Sequence, residues 1–268
     1  MTFREQLCEY GRRAVELGLV IGTSGNLSVR DGDRIAVTPS GVALDKLTPE
    51  MCPIVDMAGR LVEGDLRPSS ETPMHLAVYE STDAQAVVHT HSVFGTVVAT
   101  TMTELPPVHY NTLLLGGVVR VAPYATYGTP ELAENVRAAL EGRRAALMAN
   151  HGGVTIGATL EEAFEATRVL EWLCEVYVRA AGIGKPTVLT DAQLAAVVER
   201  TLNPPEFPGH EAGLGRRTPR GLRPTRPDGS ARPQTDPAGW LRAASDRPGR
   251  RTPPAGAPPV ARPGGRRR

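Results

Sequence analysis

Residues 1–202 of this 268-residue chain read as one α/β domain, a mixed or largely antiparallel sheet covered by helices. Three observations predict it. Short apolar strand signals alternate with helical ones. Several strand pairs are joined by turns too short for a parallel crossover. Apolar residues make up 41% of the chain, which rules out global disorder and supplies a core.

The elements follow in order. Leu7, Ala14 and Leu17, spaced among charges, predict an amphipathic helix over 3–18. The small-residue loop Gly22-Thr23-Ser24-Gly25-Asn26 leads into a strand at Leu27-Ser28-Val29. Asp31-Gly32-Asp33 turns the chain into a second strand, Ile35-Ala36-Val37, closed by Thr38-Pro39-Ser40-Gly41. Ile54–Asp56 and Leu61-Val62 flank a Gly59 turn as a hairpin. Ser69-Ser70-Glu71-Thr72-Pro73 opens a helix to about Ser81, with a Ser or Thr cap and Pro in the first turn. Ala86–His91 is a strand that runs into a helix over Val93–Thr101. Val119–Val121 is a strand, and Thr129-Pro130-Glu131 starts a helix to about Leu140. Ala145–Met148 and Val154–Ile156 are strands around Asn150-His151-Gly152-Gly153. Thr159-x-x-Glu162 and Thr190-x-x-Gln193 are capping boxes for helices ending near Ala181 and Thr201.

The formal net charge of +1 hides two unlike segments. Residues 203–268 hold 14 arginines, no lysine, five acids and 14 of the 24 prolines, without apolar period. They are expected to form a disordered basic tail. Residues 1–202 then carry −8, which argues against a general nucleic-acid binder; only the tail could meet an acidic surface by charge. No run approaches the ~20 apolar residues of a membrane span. The start, MTFREQLCEYGRR, lacks the apolar stretch of a secretory leader. Cys8, Cys52 and Cys174 lie far apart with no CxxC, which suits free thiols and a cytoplasmic location.

His89-Thr90-His91 ends a strand. Alternation places both imidazoles on one face, where they suit a divalent ion of the zinc type or are two unrelated strand histidines. His151 sits in a tight turn before two glycines, and Glu71 at a helix start. Together the four would complete a ligand set, although spacing alone does not bring them together. His75, one turn from Glu71, reads as a packing or orienting residue. His109 lies beside Tyr110, and His210 falls in the tail. The loops at 22–26 and 38–41 and the serines before the helix at 72 could cradle an anion; ordinary turns are the simpler reading of each glycine loop alone. No GxxxxGK[ST] and no GxGxxG after a strand occurs, so nucleotide binding has no support.

GTSGNLSVR, TPSG, PSSE, VVHTH, VHY, APYATYGT and NHGG, in that order, make residues 5–202 resemble the class II aldolase/adducin-head family. The resemblance implies a three-layer α/β/α sandwich around a mainly antiparallel sheet. It also implies a fourfold homotetramer with active sites between subunits. The family's zinc ligands fall on Glu71, His89, His91 and His151, with another divalent metal also acceptable. Its phosphate-binding groups fall on Thr23, Gly25, Asn26, Ser40, Gly41, Ser69 and Ser70. Its proton-donating tyrosine, given by the neighbouring subunit, falls on Tyr110, which by residue alone reads as an interface aromatic.

The implied activity is that of a zinc-dependent aldehyde-lyase. It would split a ketose 1-phosphate similar to L-fuculose 1-phosphate between C3 and C4, giving dihydroxyacetone phosphate and an aldehyde. L-Ribulose-5-phosphate 4-epimerases of this family carry Asp where this chain has Glu71, and the family also holds decarboxylases, dehydratases and non-catalytic adducin heads. Glu71 together with Tyr110 in VHY points to the aldolases, and the full ligand set points away from adducin. The family's aldolases close a C-terminal aromatic segment over the site; here only Phe207 follows Thr201 nearby, and no counterpart is recognisable.

Overall fold

The computed structural model describes residues 1–204. The basic tail expected over 203–268 lies outside the described residues apart from Asn203 and Pro204, and His210 and Phe207 lie outside them altogether.

The chain begins with α1 (Phe3–Glu16) and then lays down β1 (Asn26–Asp31), β2 (Arg34–Val37), β3 (Ile54–Asp56) and β4 (Leu61–Glu63) as a meander. Next come α2 (Thr72–Ser81), β5 (Ala86–Thr90) and α3 (Val93–Thr101). β6 (Glu104–Leu105), β7 (Val119–Ala122), α4 (Pro130–Leu140), β8 (Ala145–Met148) and β9 (Gly152–Gly157) follow. The long α5 (Leu160–Ile183) and α6 (Asp191–Leu202) come last. The strands form one sheet in the order β4-β3-β2-β1-β5-β9-β8-β7-β6. Every neighbouring pair is antiparallel except β7–β8, which α4 joins as a crossover. The sheet is therefore mainly antiparallel, as expected.

Period-two alternation divides each strand between two helical layers. Val87, Ala146, Met148, Val154 and Ile156 pack with Met74 and Val78 of α2 and with Leu132 and Val136 of α4. Ala86 and Val88, one residue out of phase, pack on the opposite face with Leu7 of α1 and Phe164 of α5. Ala145 and Leu147 meet Val98 of α3 and Leu170 of α5 on that same face. Thr155 is the one polar residue of β9 pointing at α5. It is wholly buried and donates to Ala163 O at 2.8 Å while its hydroxyl meets that of Thr167 at 2.6 Å, so its burial leaves nothing unpaired. The three layers match the expected sandwich. No helix among the described residues is long and apolar enough to cross a membrane.

Several local expectations are corrected. α1 stops at Glu16, because Gly18 takes a left-handed conformation (φ 67°) and turns the chain; Leu17 is left half exposed. α2 has no Ser or Thr cap. Its N-cap is Glu71, whose side chain makes no cap hydrogen bond, and Ser69 Oγ instead accepts from Glu71 N at 3.2 Å. β5 ends at Thr90, so His91 stands just beyond the strand. Thr159 makes half of its capping box: it accepts from Glu162 N, but Glu162 turns to Ala158 N and Arg144. The box at Thr190 is complete, and so is a further one at Thr2 and Glu5. Also unforeseen were the two-residue β6 and the 3-10 turns Leu44–Lys46, Pro49–Met51 and Tyr110–Leu115.

Candidate metal centre

β5 and β9 are adjacent and antiparallel, with His89 opposite Val154 and Thr90 opposite Gly153. This register places the end of β5 beside the turn that enters β9. That turn carries His151. It is sharp: Asn150 has φ 56°, a left-handed conformation Asn tolerates better than most residues, and His151 N donates back to Met148 O. Gly152 is required next, because a Cβ there would run into the Thr90 carbonyl and crowd the His91 ring. His91 is steadied from the other side. It stands two residues before α3, with the N-cap Ser92 between, and the first turn of that helix is capped by Glu171 of α5 through Phe94 N (2.9 Å) and Gly95 N (2.8 Å). Glu71 arrives from the N-terminus of α2, on the face of the sheet to which Val87 and His89 point.

These four side chains converge. Their ligand atoms lie within 4.8 Å of one another. His89 Nε2 is 2.9 Å from His91 Nε2 and 3.0 Å from Glu71 Oε2, and His151 Nε2 is 3.4 Å from Glu71 Oε1. The three rings sit edge-on, with centroids 4.8–4.9 Å apart. His89 Nδ1 donates to Gly153 O at 2.9 Å, which leaves the Nε2 lone pair facing the other donors. Imidazole nitrogens and a carboxylate turned on one point suit a cation there. Glu71 Oε1, buried without a hydrogen-bond partner, marks the same point. Donors about 2.0–2.1 Å from a tetrahedral ion stand roughly 3.3 Å apart, close to the spacings observed. The residues therefore fit a divalent metal.

The electrostatics agree at Glu71, His91 and His151, and at His89 they favour a proton shared with Glu71 when no cation stands between them. Burial alone would push the Glu71 carboxyl up, but the imidazoles of His89 and His151 and the Asn26 amide hold it far below the usual range. Burial and the neighbouring His89 bring His151 down to about 4, and burial with both neighbouring imidazoles does the same for His91. Both rings are thus neutral at pH 7 with lone pairs free. Burial also acts downward on His89, but the Glu71 carboxylate overrides it and holds this ring above the ordinary value.

Glu71, His91 and His151 open onto a cleft of about 320 Å³, lined also by Ser24, Gly25, Tyr124, Ala125, Tyr127 and Asn150. His89 is fully buried beside them and does not line the cleft. Backbone hydrogen bonds zip the three candidate anion loops together: Thr38 N to Leu27 O, Ser69 N to Thr38 O, and Ser40 N to Arg67 O. Of their residues, Ser24 and Gly25 line the cleft, Ser24 without having been given a site role from sequence. Thr23, Ser40 and Gly41 are exposed, Ser70 is half-buried and Ser69 is buried. Asn26 is placed differently. Its side chain is buried, with Nδ2 donating to Glu71 Oε2 (2.9 Å) and Oδ1 against His75 Nε2 (2.6 Å), so its amide is occupied within the protein.

Tyr110 stands half exposed in its 3-10 turn, stacked on His109 (4.2 Å between centroids), and does not line the cleft of its own chain. Tyr124 and Tyr127, which line the cleft, lie in the APYATYGT motif but were given no site role from sequence. They sit in an irregular loop with no periodicity to mark them.

Comparison with known proteins fits this picture. The family model described as class II aldolase and adducin N-terminal domain matches residues 5–178. The 5-deoxy-D-ribulose 1-phosphate aldolase of Bacillus thuringiensis serovar kurstaki is 35% identical, covering 74% of this chain and 94% of its own. The L-fuculose phosphate aldolase of Escherichia coli strain K12 is 41% identical over 69% of this chain and 86% of its own. A solved L-fuculose 1-phosphate aldolase superposes with a TM-score of 0.72 at 40% identity, covering 75% of this chain and 96% of that one.

Proposed function

The chain belongs to the class II aldolase and adducin N-terminal domain family, and from that premise we propose that it is a metal-dependent aldolase. It would cleave a ketose 1-phosphate between C3 and C4 to dihydroxyacetone phosphate and an aldehyde. The two relatives named above act, by name, on L-fuculose and 5-deoxy-D-ribulose phosphates, and these share the ketose 1-phosphate half.

The observation that carries the reading is the convergence of Glu71, His89, His91 and His151 on one point at the floor of a cleft. An adducin-type interaction module has no use for that set. The electron sink of an aldolase is either a lysine Schiff base or a metal. The only lysines, Lys46 and Lys185, are exposed and line no part of the cleft. A divalent ion held by His89, His91, His151 and Glu71, with Zn²⁺ the best match to the donors, would supply Lewis-acid polarisation of the substrate carbonyl.

The chain's own groups do the rest. The loops at 22–26, 38–41 and 69–70 supply Thr23, Gly25, Ser40, Gly41, Ser69 and Ser70 as phosphate donors, which fixes the reacting carbons over the histidines. Glu71, ionised and with Oε1 free of hydrogen bonds, would give up its hold on the ion when substrate oxygens take its place, and it then takes and returns the proton at the enediolate carbon. Tyr110 of the partner subunit moves the proton on the aldehyde oxygen. That assignment makes the working form an oligomer with shared sites, a homotetramer with fourfold symmetry.

The test is a panel containing L-fuculose 1-phosphate, 5-deoxy-D-ribulose 1-phosphate and L-ribulose 5-phosphate, with any dihydroxyacetone phosphate trapped by a coupled reductase. Release from a 1-phosphate, abolished by chelation and restored by Zn²⁺, is expected. Epimerised 5-phosphate without dihydroxyacetone phosphate would make the chain an epimerase, and silence with every substrate would favour a binding module.

A further inference from the structure

A chain of hydrogen bonds runs from the core to Glu71. Tyr79 OH lies 2.6 Å from Ser28 Oγ, and Ser28 Oγ lies 2.6 Å from His75 Nδ1. His75 Nε2 lies 2.6 Å from Asn26 Oδ1, and Asn26 Nδ2 lies 2.9 Å from Glu71 Oε2. All five side chains are buried, and Ser28 and His75 are fully so. Such a series excludes water and is costly unless every member is paired.

Its direction follows from its end. A carboxylate only accepts, so Asn26 must turn its NH₂ to Glu71 and its carbonyl to His75. His75 then carries its proton on Nε2 and offers a lone pair at Nδ1. Ser28 donates to that lone pair and accepts from Tyr79. Flipping the Asn26 amide would set oxygen against the carboxylate and N–H against N–H, so the series has one consistent orientation.

We propose that His75 is a positioning residue: acting through Asn26, it holds Glu71 Oε2 in place and so reserves Oε1, the oxygen with no hydrogen bond, for the proton transfer at substrate. The proposal rests on the aldolase reading above, and it moves the Asn26 side chain from phosphate binding to the support of Glu71. The partners that orient a ligating group typically cost 10–100-fold when removed.

The test uses the full-length, metal-loaded chain. His75→Phe keeps the ring volume and removes the donor. It should lower kcat about 30-fold, with KM for the ketose 1-phosphate within about threefold and the metal retained. His75→Gln, whose amide restores a donor towards Asn26, should recover most of the rate. Equal damage by Phe and Gln, or a wild-type rate with Phe, would overturn the proposal. Should His75→Phe not fold, Asn26→Ala takes its place: it should cost a similar factor in kcat, and adding His75→Gln should cost nothing more. Additive losses would overturn the proposal, because they would show two independent contributions. Nitrogen-15 spectra of labelled histidine supply a readout that needs no substrate. They should show His75 as the Nε2–H tautomer and His89 as Nδ1–H; a Nδ1–H tautomer at His75 contradicts the direction of the series. A wild-type chain that cleaves no ketose phosphate defeats the proposed function, and the spectra still decide the hydrogen bonding.

Discussion

Glu71 is the residue on which most of the chemistry converges. It sits 5% exposed at a helix start, yet burial does not neutralise it, because two imidazoles and an amide face it. Glu71→Gln keeps the shape and removes the charge. It should lower cleavage by at least about 100-fold while leaving phosphate affinity nearly unchanged, measured by steady-state kinetics and by inhibition with inorganic phosphate. Tyr110→Phe should likewise slow turnover about 100-fold with little change in KM; unchanged turnover would remove Tyr110 from proton transfer. At this scale the sequence was informative wherever short-range spacing carries geometry. The His89-x-His91 spacing predicted two imidazoles on one side, and their Nε2 atoms meet at 2.9 Å although His91 lies past the strand end. His75 could be read as an orienting residue, but Asn26 as the link could not. A buried amide and a phosphate-binding amide look the same in sequence, and only the register of β1 against β5, which sets Asn26 opposite His89, separates them.

The elements explain why the site is stiff. His151 and His91 flank the point where β9 departs from β5, and Gly152 lets the two backbones touch. Gly152→Ala should therefore destabilise the fold by about 1–3 kcal/mol and weaken metal binding, both measurable by thermal unfolding with and without chelator. Glu171→Gln should cost about 1 kcal/mol by weakening the cap of α3, and should loosen His91 without touching the substrate. Helices with strong periodicity or a Pro-led start, such as α1 and α4, were legible, because amphipathic spacing and the first-turn proline are local signals. β6 and the 3-10 turn at Tyr110–Leu115 were not. Two paired residues or a single turn carry too little pattern, and tertiary contacts such as His109 against Trp172 set them instead. The cap of α2 was misread because Ser69 serves Glu71 N rather than the helix itself.

The whole molecule places the metal centre where loops from both halves of the sheet meet, which is why its ligands are scattered from residue 71 to residue 151 and could be joined from sequence only through the family resemblance. If Tyr110 serves the neighbouring site, two inactive variants should complement each other. Tyr110→Phe and His91→Ala chains dissociated and reassembled together should regain activity at about a quarter of the sites, whereas Tyr110→Phe alone keeps about a hundredth of the wild-type rate and His91→Ala alone none. The groups of the site found among the described residues all lie between Ser24 and His151, so a chain ending at residue 204 should keep its metal and a cooperative unfolding transition. The most direct measurement is the metal content of the purified chain by elemental analysis, beside that of His91→Ala. About one divalent ion per chain, lost in the variant together with retro-aldol activity, is the expected result. A metal-free chain that still releases dihydroxyacetone phosphate, or a variant that keeps its ion, would contradict it.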